Sequence, residues 1–224
     1  MMNKLIVFGD SFSAPYDITA VHYKNYHNYL NGEPFPKIWS ELLAEELNLE
    51  LACLGINGAC NYTIFDSFCK NINMINENDV VIIGWSFLER FRIYDERGSN
   101  FRTIVPLFPH DDLLKNISKD TINEIFYNRS FEHWGNEIKN WEMLILRLQK
   151  LINFKLMIWS FDDRLSKSNI NLHYKLGILG AETIIQETNN AVDDRHYGKM
   201  GHIVQSKYFY EKIIKMDSSN YIRL

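Results

Sequence analysis

Short apolar runs alternate along the chain with segments whose apolar residues recur every three or four positions, the pattern of strands alternating with helices. Leu5–Phe8 is four apolar residues stopped by Gly9-Asp10-Ser11, a buried strand that ends in a turn. Ile38, Trp39, Leu42, Leu43 and Leu47 form a helical stripe over 38–47, and 49–54 carries a second strand. A helix over 62–75 leads to the fully apolar 80–83, introduced by Asn78-Asp79 and predicted as the third strand. Apolar residues at 141, 144, 145, 148, 151 and 152 predict a helix with Trp141 and Leu144 in the core. Leu156–Trp159 is a fourth strand, 183–185 a weaker fifth, and 203–214 the closing helix. This alternation predicts a single three-layer α/β/α domain over 1–224, with a flavodoxin-like, five-stranded parallel sheet covered on both faces.

Ligands of such sheets sit beyond the carboxyl ends of the strands, which directs attention to the segments after strands one, two, three and five. Two stretches break the alternation. Residues 13–36 form an aromatic insertion carrying His22, Tyr23, Tyr26, His27 and Tyr29. Residues 87–136 carry Arg90, Arg92, Arg97 and Arg102, then Pro106 and Pro109. Insertions this long in a compact domain are usually functional or hold small elements of their own.

Composition narrows the function classes. Of 224 residues, 46% are hydrophobic and 23% charged, as in ordinary globular chains, and the net charge of -4 argues against a nucleic-acid binder. No run approaches the roughly 20 apolar residues of a membrane span, and no secretory leader is evident, so a cytoplasmic location is expected. Three irregularly spaced cysteines, Cys53, Cys60 and Cys69, suit reduced thiols better than a disulfide framework or a zinc site.

Four soft signals follow the predicted strands. Ser11, in Gly9-Asp10-Ser11, stands where a turn would present its hydroxyl at the sheet edge; the same tripeptide also serves as ordinary turn chemistry. Asp193-Asp194-Arg195-His196 puts a carboxylate three residues before a histidine, able to accept one ring N–H while the other nitrogen takes a proton. An Asp-rich cap followed by a surface histidine is the plainer account. Leu54-Gly55-Ile56-Asn57-Gly58-Ala59 offers a close backbone approach, with the Gly58 N–H suited to an oxyanion; a strand-to-helix turn would need glycine too. Gly84-Trp85-Ser86-Phe87-Leu88 lacks the closing glycine of a nucleophile elbow.

In block order these segments resemble the SGNH/GDSL hydrolases. That resemblance implies the SGNH hydrolase fold, with Ser11 as nucleophile, His196 as base and Asp193 as its orienting carboxylate. The N–H groups of Ser11 and Gly58 become oxyanion donors. Where the family has an asparagine, in Gly-x-Asn-Asp, this chain has Ser86, whose hydroxyl reaches less far than an amide. Asn57 or Asn61 could supply the missing amide instead. Tyr26, Trp85 and Arg90 are candidate substrate contacts, although an arginine cluster beside Glu89, Asp95 and Glu96 is more often a solvated face.

Competing chemistry finds no support in the sequence. There is no P-loop and no Gly-x-Gly-x-x-Gly, and Phe12 stands where a phosphoaspartate hydrolase wants a second aspartate. His22/His27 and His196/His202 lack zinc-ligand spacing. His202 reads as structural. The expected activity is a serine esterase without metal or organic cofactor, acting on a small ester, with tyrosine-rich loops favouring an acetylated carbohydrate. A thioesterase or lysophospholipase is the alternative within the enzymes. A non-catalytic binding protein on the same scaffold is the alternative outside them.

Overall fold

A computed structural model of the protein describes residues 3–17, 27–28, 30–88, 90–95, 100–104, 131–160, 162, 165, 199–216 and 221–223. Its parallel sheet contains β1 (Lys4–Gly9), β2 (Glu50–Gly55), β3 (Val80–Trp85), β6 (Lys155–Ser160) and β7 (Tyr221–Arg223), in the order β2-β1-β3-β6-β7. Leu5 pairs with Leu51 on one side and Val80 on the other, so β1 is an interior strand. Four strands of six residues make the body of the sheet. The three-residue β7 lies along β6 at one edge, with Leu156 opposite Tyr221. The fifth strand expected at 183–185 lies outside the described residues, and β7 was not expected.

Apolar side chains of both parities in β1 explain why the sheet is covered on both faces. Ile6 and Phe8 point to one side, with Val81, Ile83, Leu156 and Ile158. There they meet α2 (Asn61–Asn71) and α3 (Phe131–Ile152), through Ile64, Phe68, Trp134, Ile138 and Ile145. Leu5, Val7, Ile82, Met157 and Trp159 point to the other side, against α1 (Trp39–Leu47) and α4 (Lys199–Ile213). The edge-to-face packing of Trp39 on Trp159 and Phe209 fills this second layer. The result is the three-layer α/β/α arrangement with a parallel sheet.

Three differences from the sequence reading have physical causes. The helix predicted over 141–152 begins at Phe131, because Trp134, Ile138, Trp141 and Ile145 continue one stripe across Gly135 and its polar neighbours. Leu144 is 44% exposed rather than core, since it stands roughly 120° round the helix from Ile138 at 3.6 residues per turn. The 87–136 insertion contains an antiparallel pair, β4 (Phe91–Asp95) with β5 (Asn100–Ile104), with Ile93 opposite Arg102. The alternation of Phe91 and Ile93 with Arg90, Arg92 and Tyr94 is the period-two signal for the first strand; the second, Asn100-Phe101-Arg102-Thr103-Ile104, alternates only around Phe101.

Candidate active site

The site forms where the order 2-1-3 reverses, at the carboxyl ends of β1 and β3, the position where open α/β sheets accept ligands. After β1 the chain turns sharply. Asp10 O accepts the N–H groups of Ser13 (2.9 Å) and Ala14 (3.0 Å), and Asp10 Oδ1 accepts that of Phe12 (3.1 Å). Ser11 sits inside this turn and is only 6% exposed, so the sheet edge is covered at this point. The Trp39 indole N–H donates to Phe12 O at 2.7 Å and anchors the far side of the turn on α1.

β2 comes very close to the same turn. A Cβ built on Gly55 would stand 2.6 Å from Ser13 O and Ala14 N, which is why glycine is required there. Ile56 N–H donates to Gly9 O (2.9 Å), tying the two strand ends together. Gly58 has φ +71°, the left-handed region that glycine enters without penalty, and open space lies around its Cβ position. Asn57 is exposed. Below the turn, the Cys53 thiol donates to Ser13 O at 3.0 Å, and burial pushes its pKa up, which keeps it protonated and unreactive.

At the end of β3 the polar groups are closely paired. Asn61, the first residue of α2, accepts Ser86 N–H on Oδ1 (2.7 Å) and donates from Nδ2 to Ser86 O (3.0 Å). The Ser86 hydroxyl donates to Asp10 Oδ2 at 2.8 Å, joining the ends of β1 and β3. Arg90 Nη1 donates to the same Oδ2 at 2.9 Å and lies 3.5 Å from Ala59 O. This ion pair is largely buried, with side chains 12% and 6% exposed. Leu88 N–H donates to Asp162 Oδ2 (2.9 Å), and Arg90 N–H to Phe87 O (3.1 Å), so the main chain is held at both Leu88 and Arg90.

Of the residues nominated from the sequence, Ser11, Gly58, Ser86, Asn57, Asn61 and Arg90 fall on neighbouring segments at one end of the sheet. Trp85 does not join them. Its ring is 2% exposed, packs near Trp141 and donates its indole N–H to Glu142 Oε1 (2.9 Å), so it belongs to the core under α3. Asp193, His196 and Tyr26 lie outside the described residues. His202 is buried at the start of α4, where Nδ1 accepts the Trp39 N–H at 3.1 Å and so caps α1. Sequence reading gave Asp10 no part in the site, and the structure makes it the hub that Phe12, Ser86 and Arg90 share.

Among the described residues, no three His, Cys, Asp or Glu side chains are grouped so as to hold a metal ion. Among the same residues, no helix is long and apolar enough to cross a membrane.

No family model matches the chain. No curated protein matches it either. Among solved structures, it is similar to a protein assigned to the G-D-S-L lipolytic family from Desulfitobacterium hafniense DCB-2, at 12% identity and a TM-score of 0.39, over 93% of this chain and 98% of that one. A catalytic mutant of an acetylxylan esterase from Geobacillus stearothermophilus is similar at 12% identity and a TM-score of 0.37, over 96% of this chain and 95% of that one. At such TM-scores neither likeness bears on the chemistry of the site.

Proposed function

We propose that the chain is a serine esterase that cleaves a carboxylic ester through an acyl-enzyme, with an acetylated carbohydrate or another small ester as substrate. The observation that carries this reading is the position of Ser11, in a braced turn at the carboxyl end of an interior strand, beside the reversal of strand order. Gly58 supports it, because its left-handed turn follows β2 and leaves open space where a side chain would otherwise stand, room for a substrate oxygen to approach the backbone.

In this mechanism Ser11 Oγ bonds to the ester carbonyl carbon while His196 takes the hydroxyl proton. The carbonyl electron pair moves onto oxygen, and the N–H groups of Ser11 and Gly58 hold the resulting charge. The intermediate collapses, the C–O bond to the alcohol breaks, and His196 returns its proton to the leaving oxygen. Water, deprotonated by His196, then bonds to the acyl carbon, the bond from that carbon to Ser11 Oγ breaks, and His196 returns the proton to Oγ, which frees the acid and restores Ser11. Asp193 keeps the imidazole in the tautomer this requires.

The test is hydrolysis of p-nitrophenyl acetate and butyrate beside Ser11→Ala, with a fluorophosphonate probe on both proteins. The expected outcome is turnover and labelling in the wild type and neither in the variant. A folded wild type that the probe does not label refutes the reading. Faster turnover of long acyl chains than of acetate would replace the acetyl esterase with the thioesterase or lysophospholipase alternative.

A further inference from the structure

Two of the side chains nominated for the third oxyanion donor, Ser86 and Asn61, are already engaged, and the third, Asn57, is exposed. The Ser86 hydroxyl hydrogen is given to Asp10, and both ends of the Asn61 amide are bonded to the Ser86 main chain. Arg90 follows four residues after Ser86, and its position is closely constrained. Nη1 touches Asp10 Oδ2, on the residue before Ser11, and Ala59 O, on the residue after Gly58. The guanidinium therefore bridges the immediate chain neighbours of the two expected backbone donors. Its Nε is buried and has no hydrogen-bond partner among the described residues. A guanidinium is always charged and carries five N–H donors in a fixed fork, so two contacts through Nη1 leave donors in hand.

We propose that Arg90 supplies the third oxyanion donor, a cationic one, in the place the resemblance reserves for an asparagine amide; this rests on the serine-esterase reading of Ser11. The carbonyl oxygen that gains the electron pair is held by the Ser11 and Gly58 N–H groups and by the Arg90 fork. Asp10 has two parts in this arrangement. It fixes the guanidinium within the site, and it pairs the buried positive charge, while the donors not bonded to it are pre-set for the charge that develops on the carbonyl oxygen. The Phe87 ring, its centroid 5.6 Å from the guanidinium carbon, lies against the arginine head, and the Leu88 N–H bond to Asp162 fixes the main chain two residues before it.

The decisive comparison is Arg90→Met with the double variant Asp10→Asn/Arg90→Met, followed by p-nitrophenyl acetate kinetics, fluorophosphonate labelling and thermal midpoints. Arg90→Met strands a buried carboxylate and is expected to lose both midpoint and turnover. The double variant removes both charges and is expected to regain the midpoint, while kcat stays roughly a hundredfold below wild type with KM unchanged, the signature of an interaction made only in the transition state. A double variant with kcat within about threefold of wild type overturns the proposal, because Arg90 would then act only by holding Asp10. Should the double variant not fold, Arg90→Lys decides, since it keeps the ion pair and loses the fork. An at least tenfold lower kcat at wild-type KM and midpoint supports the proposal, on the order expected for a weakened donor. Wild-type kcat, or a loss shared by KM and midpoint, overturns it. A wild type that the probe does not label at Ser11 removes the esterase reading and this role with it, a result separate from every variant comparison.

Discussion

At Gly55 a single methyl group would stand 2.6 Å from the backbone of Ser13 and Ala14, a contact no rotamer change can relieve. Gly55→Ala is therefore expected to destabilise by about 1–3 kcal/mol and, by pushing the Ser11 turn away from β2, to reduce ester turnover by about tenfold or more. Gly58→Ala meets no atoms, so its cost is confined to the left-handed backbone, about 1–2 kcal/mol. Urea midpoints of the two variants, read beside kcat, separate a clash from a strained dihedral. Both glycines were legible in the sequence, because turn chemistry leaves a residue signature. The engagement of Asp10 with Ser86 and Arg90 was not, since it joins positions about eighty residues apart with no local pattern to announce it.

α3 shows what periodicity can and cannot reveal. Its buried face runs through Trp134, Ile138, Glu142, Ile145 and Gln149, and two of these are polar. Glu142 accepts the Trp85 indole N–H, and Gln149 donates to Phe154 O (2.8 Å), so burial costs neither its hydrogen bonds. A reading that follows apolar residues alone passes over these positions and credits Leu144 and Leu151, which are 44% and 82% exposed. Ile145→Ala is expected to cost about 2–5 kcal/mol, whereas Leu144→Glu and Leu151→Glu should stay within about 0.5 kcal/mol of wild type in chemical denaturation. The β4–β5 pair was hidden for a related reason. Its arginines form a charge cluster in the sequence, and five-residue strands with a single clear alternation carry too weak a period to stand out from it.

For the molecule as a whole, alternation of strand and helix was enough to give a parallel sheet with two covered faces, because a fully apolar strand such as β3 has no polar side to turn outward. The strand order was not written in any local segment; it emerges from which helix packs on which face. Nearly all the sheet's pairing joins distant parts of the chain, as with Leu5 to Val80 and Leu156 to Tyr221. Refolding from denaturant is accordingly expected in milliseconds to seconds or slower, and stopped-flow fluorescence of the buried Trp39 and Trp159 would report it. The interior place of β1 has a further consequence, for the chain while it is being made. β1 leaves the ribosome before either neighbour exists, and β3 follows only after roughly 4–15 s at about 5–20 residues per second. For that interval the edge of Leu5, Ile6, Val7 and Phe8 that β3 will cover stays open, even once β2 has been made, so the nascent chain is a natural client for a chaperone that holds extended hydrophobic segments.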